Sequence, residues 1–140
     1  MTNLESRLES TLMTPAAKCP ASRGVKPTSS RADKTIPMYY YEVLTENPYQ
    51  FTYEQLNKEV HFKRRSQSHL QVDKYEMKRN ELCKVWGWGI YQDKSGKLAL
   101  LARESKEYRL LLADPKVRKL EALNPSSAQI EAFKNKLSKP

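Results

Sequence analysis

The chain has 140 residues, with 25 Lys+Arg against 16 Asp+Glu for a formal net charge of +9 and a mean hydropathy of −0.79. That length suits one domain with a tail and leaves no room for a second core. The longest apolar run, Leu98 to Ala102, falls far short of the roughly 18 to 20 residues of a membrane-spanning helix, which excludes such a helix and leaves no membrane partner to expect.

In chain order, MTNLESRLES is followed by Thr, Pro and Ala instead of an apolar core, so no secretory signal is expected. Glu5 and Glu9 argue against an acid-poor mitochondrial presequence, and a cytoplasmic location is the expectation. Residues 1–34 carry scattered apolar positions among Ser, Thr and Lys, with Pro15, Pro20 and Pro27. Too little can be buried there to offset ordering, so this stretch reads as a flexible, disordered N-terminal arm, with a short helix open over 3–12. The compact domain is expected from 35 to 138.

Met38 to Leu44 fits either helix or strand, and the Glu46-Asn47-Pro48 stop favours a helix. Thr52 and Gln55 stand in capping-box spacing, which predicts a helix over Tyr53 to Lys63 with Tyr53, Leu56 and Val60 inward and Asn57 toward water. Asp73 caps a predicted helix over Lys74 to Lys84. The period then changes. Residues 85–91 and 97–103 alternate around the turn Gln92 to Gly96 and predict a central β-hairpin. Trp86, Trp88 and Ile90 share its apolar face with Leu98, Leu100 and Ala102. The opposite face presents Gly87 and Gly89, a smooth floor that a helix, another backbone or a planar ligand can approach.

Ser105 is placed to cap a helix carrying Tyr108, Leu111 and Leu112 inward, back on the hairpin. Asp114-Pro115 suits the start of a short helix over Lys116 to Leu123, with a strand through Leu120 to Leu123 as the competing reading. Ser126 and Gln129 form a second capping box ahead of a terminal helix lined by Ile130, Phe133 and Leu137. The predicted class is therefore α+β: a small single domain with a central hairpin packed by several short helices.

The charge excess is spread along the chain, and only Lys63-Arg64-Arg65 forms a compact basic cluster, with Lys116, Arg118 and Lys119 as a looser one. Nucleic acid is the first partner class that +9 suggests, with those three residues as its contact point. Two or three helices before a hairpin is also the order of a winged helix. Against that, Asp73, Glu76 and Glu81 share the would-be recognition helix with its basic residues. A protein partner is the other macromolecular possibility.

Three stretches carry a resemblance. Cys19-Pro20, Asn47-Pro48-Tyr49-Gln50-Phe51-Thr52, Gly87-Trp88-Gly89-Ile90, Asp93, Gly96-Lys97, Ala99-Leu100 and Glu104-Ser105-Lys106-Glu107-Tyr108 together resemble an uncharacterised family of short bacterial proteins. The likeness covers about residues 17 to 124. A Ser-Pro-Leu-Thr-like run before the hairpin in that family is missing from Leu82 to Val85. The resemblance implies a fold and no activity.

Chemistry has little foothold. His61, His69, Cys19 and Cys83 are the only histidines and cysteines, and their spacing matches no metal site. Cys83 with His61 or His69 is the only thiolate pair to consider, and it lacks an orienting partner at known spacing. The cysteines form no CxxC pair, which suits reduced thiols. The four glycines form no phosphate loop. No catalytic residue, metal or cofactor is assigned, and an enzyme is not the favoured reading. Six aromatic rings crowd between Tyr39 and Tyr53, more than a small core encloses. The expected contact surface combines Tyr40, Tyr49, Phe51 and Trp88 with Gly87 and Gly89. The first reading is a binding or regulatory module; the second is a small-molecule binder or small enzyme with an aromatic pocket over the glycine strand.

Overall fold

The computed structural model describes residues 10–28, 35–63 and 80–138. Its strands are β1 (Thr11–Thr14), β2 (Trp88–Gln92), β3 (Leu98–Ala102) and β4 (Arg118–Glu121), in one mixed sheet of order β3-β2-β1-β4. β1 runs antiparallel to β2 and parallel to β4, and β2 pairs β3 antiparallel with Trp88 opposite Ala102 and Ile90 opposite Leu100. The helices are α1 (Ile36–Glu46), α2 (Tyr53–Lys63), α3 (Glu81–Lys84), α4 (Lys106–Ala113) and α5 (Ser127–Ser138). The α+β class and the helix-covered hairpin are as the sequence predicts.

The reading of residues 1–34 as a disordered arm is corrected for its described part. β1 lies in the middle of the sheet, with Leu12 and Met13 buried on opposite faces. Leu12 therefore belongs to a strand and not to a helix. Strand alternation sends one side chain to each core, and two backbone ladders tie this short segment to strands far along the chain. Residues 15–27 then run across the hairpin's end. The Ala16 N–H donates to the Cys83 carbonyl and the Val25 N–H to the Trp86 carbonyl, at 3.0 and 2.8 Å. The Arg103 guanidinium donates to the Ala21 carbonyl at 2.7 Å. The Gly24 N–H donates to the Glu104 carboxylate at 2.8 Å, and the Trp88 indole N–H to the Val25 carbonyl at 2.8 Å. Segment 15–27 is thus held by backbone bonds to Cys83 and Trp86 and by the side chains of Trp88, Arg103 and Glu104.

The helix signals that were local held. Thr52 N–H donates to Gln55 Oε1 at 3.0 Å while Gln55 N–H donates to Thr52 Oγ1 at 3.2 Å. Ser126 and Gln129 exchange the same pair at 2.8 and 3.1 Å. Ser105 Oγ accepts the Tyr108 N–H at 3.1 Å. Each pair satisfies donors a helix start leaves open. α3 starts at Asn80, whose side chain accepts the Leu82 N–H; the Asp73 cap and residues 74–79 lie outside the described residues. Asp114-Pro115 forms a turn and not a helix start. Asp114 Oδ1 accepts the Lys116 N–H at 2.9 Å, its carbonyl accepts the Val117 N–H, and the chain enters β4. The competing strand reading prevails, shifted toward the N-terminus.

The larger core lies on one face of the sheet. Met13, Ile90 and Leu98 meet Tyr40, Val43 and Leu44 of α1, Leu56 and Val60 of α2, and Leu82 and Cys83 of α3 there. Phe133 of α5 joins it edge-on to Trp86, ring centroids 5.2 Å apart. A smaller core on the other face joins Leu12, Leu101, Tyr108 and Val117, with Leu111 at its margin. Leu112 points away, exposed, contrary to its predicted inward side. The sheet is therefore sandwiched between two cores, with β2 inside it and β3 at one edge; most of the helix a winged-helix reading needs, residues 74–79, lies outside the described residues.

Candidate functional site

The glycine floor exists and is already occupied. Gly87 takes φ +82°, and a Cβ there would stand 2.1 Å from the Arg23 carbonyl oxygen. A Cβ on Gly89 would stand 2.7 Å from the Tyr108 ring. The two glycines admit the 15–27 segment and α4 respectively, so the protein's own chain fills the space directly beside each of them.

The aromatic candidates separate. Tyr40 is buried in the main core and its hydroxyl donates to Asn57 Oδ1, which turns Asn57 from a water-facing residue into a partner of the core. Phe51 and Trp88 pack half-buried against the same core, and Trp88 meets Tyr41 edge-on at 5.4 Å. Tyr49 alone of the four is exposed, at 41 %. Of the proposed nucleic-acid contacts, Lys63 ends α2, its side chain is not described, and Arg64 and Arg65 lie outside the described residues. The side chain of His61 and the whole of His69 are likewise not described.

Tyr49 is built into its position. The helix α1 ends at Asn47, whose side-chain amide donates to the Val43 carbonyl at 2.9 Å. The chain turns through Pro48, and Tyr49 takes φ 60°, the only positive φ on a non-glycine among the described residues. Its N–H donates to the Leu98 carbonyl at 2.8 Å, and the Leu98 N–H donates to the Phe51 carbonyl at 2.9 Å. One residue of the edge strand thereby clasps both ends of the turn. The Tyr49 ring projects onto Tyr91 edge-on, centroids 6.3 Å apart. Burial raises its phenol pKa, and the negative charge of Glu107, with Tyr91 and Asp93, raises it further.

Asp93 is committed to its own turn. Its Oδ1 accepts the Ser95 N–H, the Ser95 hydroxyl and the Lys97 N–H at 2.9, 2.7 and 3.0 Å. Burial pushes its pKa up, but these bonds and the Lys97 charge outweigh it and hold the carboxyl below its ordinary value. Glu107, exposed in the first turn of α4, has no such engagement among the described residues beyond the favourable end of the helix dipole. The site that results is an exposed tyrosine on a clasped turn, a second tyrosine beside it, and a carboxylate at the rim. Tyr91 was not singled out from sequence, and Glu107 stood there only within the resemblance segment and not as a contact residue. The available signal was that Tyr91 shares Gly89's strand face one step beyond the residue Tyr108 covers.

Cys83 is fully buried and free, and burial, with nearby Cys19, pushes its thiol pKa far up, so it is held protonated. A thiolate pair with a histidine has no support from that environment. Among the described residues, no group of three or more His, Cys, Asp or Glu is placed to hold a metal ion, and no helix is long and apolar enough to cross a membrane.

The sequence model of DUF6157, described as a family of unknown function, matches residues 5–128, from ahead of β1 to the start of α5. No curated protein and no solved structure matches the chain.

Proposed function

The chain belongs to that family of unknown function, and we propose that it is a non-enzymatic binding module whose contact surface is the Tyr49–Tyr91 pair rimmed by Glu107, engaging a protein partner. The observation that carries this reading is Tyr49: a residue with a Cβ held at φ 60° with its ring exposed. The left-handed region costs such a residue about 1–2 kcal/mol, and glycine would take the turn without that cost. A tyrosine there makes sense when the ring is used outside the fold. Tyrosine is also a side chain that gives large contact area at low entropic cost and is enriched at interface centres.

The rim favours protein over phosphate. Glu107 stands close enough to raise the Tyr49 phenol pKa, and a carboxylate beside a stacking ring repels a nucleic-acid backbone. Nucleic acid remains the second reading because of the +9 net charge.

The test is site-specific photocrosslinking in cells, with a benzophenone amino acid at position 49 and, as control, at exposed Glu131 on α5. A discrete, protease-sensitive adduct from position 49 only is the expected result. A nuclease-sensitive adduct would move the assignment to nucleic acid, and equal labelling from both positions, or none, would remove the surface from consideration.

A further inference from the structure

We propose that β4 is a self-complementary edge through which two copies of this chain pair, antiparallel and about a two-fold axis at Leu120, to form one continuous eight-stranded sheet. β4 ends the sheet order, with β1 on its inner side. The Arg118 N–H donates to the Ser10 carbonyl at 2.9 Å and the Ala122 N–H to the Thr14 carbonyl at 3.0 Å. Alternation then turns the backbone groups of Lys119 and Glu121 outward, away from β1. Among the described residues neither N–H has a partner.

The side chains select the occupant and the register. In an antiparallel pair, hydrogen-bonded positions must both be outward-facing residues, so three frames compete, one of which sets Glu121 opposite Glu121 of the second copy, a like-charge contact. Another sets Lys119 opposite Lys119 of the second copy, a like-charge contact that opposes pairing. The third sets Lys119 opposite Glu121 of the second copy, twice by symmetry, and Leu120 opposite its own copy in the close, non-hydrogen-bonded position. Only that frame matches opposite charges and apolar with apolar. Leu120 is already packed at the margin of the main core, so the pair extends that core across the axis. The Lys119 ammonium donates to the Asp114 and Val117 carbonyls, and an ammonium has a third donor for a carboxylate. Glu121 is exposed and, among the described residues, in no ion pair. The same frame brings exposed Leu123 toward Val117 of the second copy. A closed two-fold dimer is the commonest symmetric association, and its interface must be complementary to itself in this way.

A charged, four-residue edge is also how proteins prevent edge pairing, and sedimentation equilibrium of the full chain from roughly 1 to 200 µM separates the two. The wild type is expected to reach a dimer in that range. Glu121→Lys alone and Lys119→Glu alone each place like charges opposite one another and weaken the dimer by about tenfold or more. An equimolar mixture of these two variants restores dimerisation, because the heterodimer is complementary at both contacts. Glu121→Pro, which deletes an outward N–H and no bond to β1, abolishes dimerisation with the monomer's circular dichroism unchanged, and it serves if Lys119→Glu fails to fold. A wild type that is monomeric throughout overturns the proposal. So does a dimer that Glu121→Lys and Glu121→Pro leave intact.

Discussion

Replacing Tyr49 by glycine and by alanine separates the cost of its backbone from the use of its ring. Both substitutions remove the edge contact with Tyr91, which for a ring as exposed as this one contributes about 0.5 kcal/mol. They differ in what φ 60° costs. Alanine keeps the left-handed penalty of about 1–2 kcal/mol; glycine is free of it but brings about 0.5–1 kcal/mol of extra unfolded-state entropy. The net expectation is that Tyr49→Gly is more stable than Tyr49→Ala by about 0.5–1 kcal/mol and close to the wild type. At an ordinary position with negative φ the order is the reverse. Urea denaturation followed by tryptophan fluorescence reads the difference as a shift in midpoint at unchanged slope. An alanine variant as stable as the glycine variant, or more so, would refute a left-handed turn at residue 49. If the ring serves a partner, both variants lose the contact equally, so the stable glycine variant is the one to carry into binding experiments.

Four other expectations test the rest of the frame. Gly87→Ala should destabilise by more than about 3 kcal/mol, because its Cβ meets a backbone carbonyl at 2.1 Å and the residue sits at φ +82°. Gly89→Ala should cost about 1–3 kcal/mol, since the Tyr108 ring it meets can shift; equal thermal shifts would contradict that ranking. A chain beginning at Thr35 loses the central strand, with Leu12 and Met13 buried in it, and should show no cooperative unfolding transition by circular dichroism. For Cys83 the folded thiol pKa lies above its ordinary 9.0, so the folded state holds a proton that the unfolded state releases above about pH 9. Its stabilising contribution is complete below that pH and falls above it by about 1.4 kcal/mol per unit. Denaturation midpoints of Cys83→Ala from pH 8 to 10.5 should lack that component of the decline, and an unchanged alkaline slope would contradict it.

The helix starts were legible because their signals span four residues. Thr52 with Gln55, Ser126 with Gln129, and Ser105 ahead of Tyr108 each carry both partners in a single short window. The hairpin was legible for a similar reason, as Asp93 alone organises its turn. β1 offered no such signal. Thr-Leu-Met-Thr has two apolar residues, one for each face, and its partners come from Ile90 to Gln92 and Arg118 to Glu121. A strand held from both sides needs little sequence of its own. β4 was obscured by chemistry that two structures share, since an Asp-Pro pair caps a helix or closes a turn equally well. The contact surface was half legible: the crowding of aromatics was visible, but which ring stays outside depends on the turn after Pro48 and on Tyr108 of α4 covering Gly89.

The residues that carry the family resemblance can be divided by what their side chains do. Asn47 closes α1, Thr52 and Ser105 open α2 and α4, and Asp93 shapes the hairpin turn. Glu104 ties down the 15–27 segment, Gly87 makes room for that segment, and Gly89 makes room for Tyr108. Each is needed by any chain with this fold, whatever it binds. Tyr49 and Glu107 differ, because the turn would be easier with glycine and the helix gains only a small dipole term from the carboxylate. A fold alone gives no reason for a tyrosine at φ 60°. Substitutions at the first group should therefore lower stability and binding together, whereas Tyr49→Gly and Glu107→Gln should lower binding with the melting temperature nearly unchanged. That separation is what a contact surface predicts and a structural motif does not.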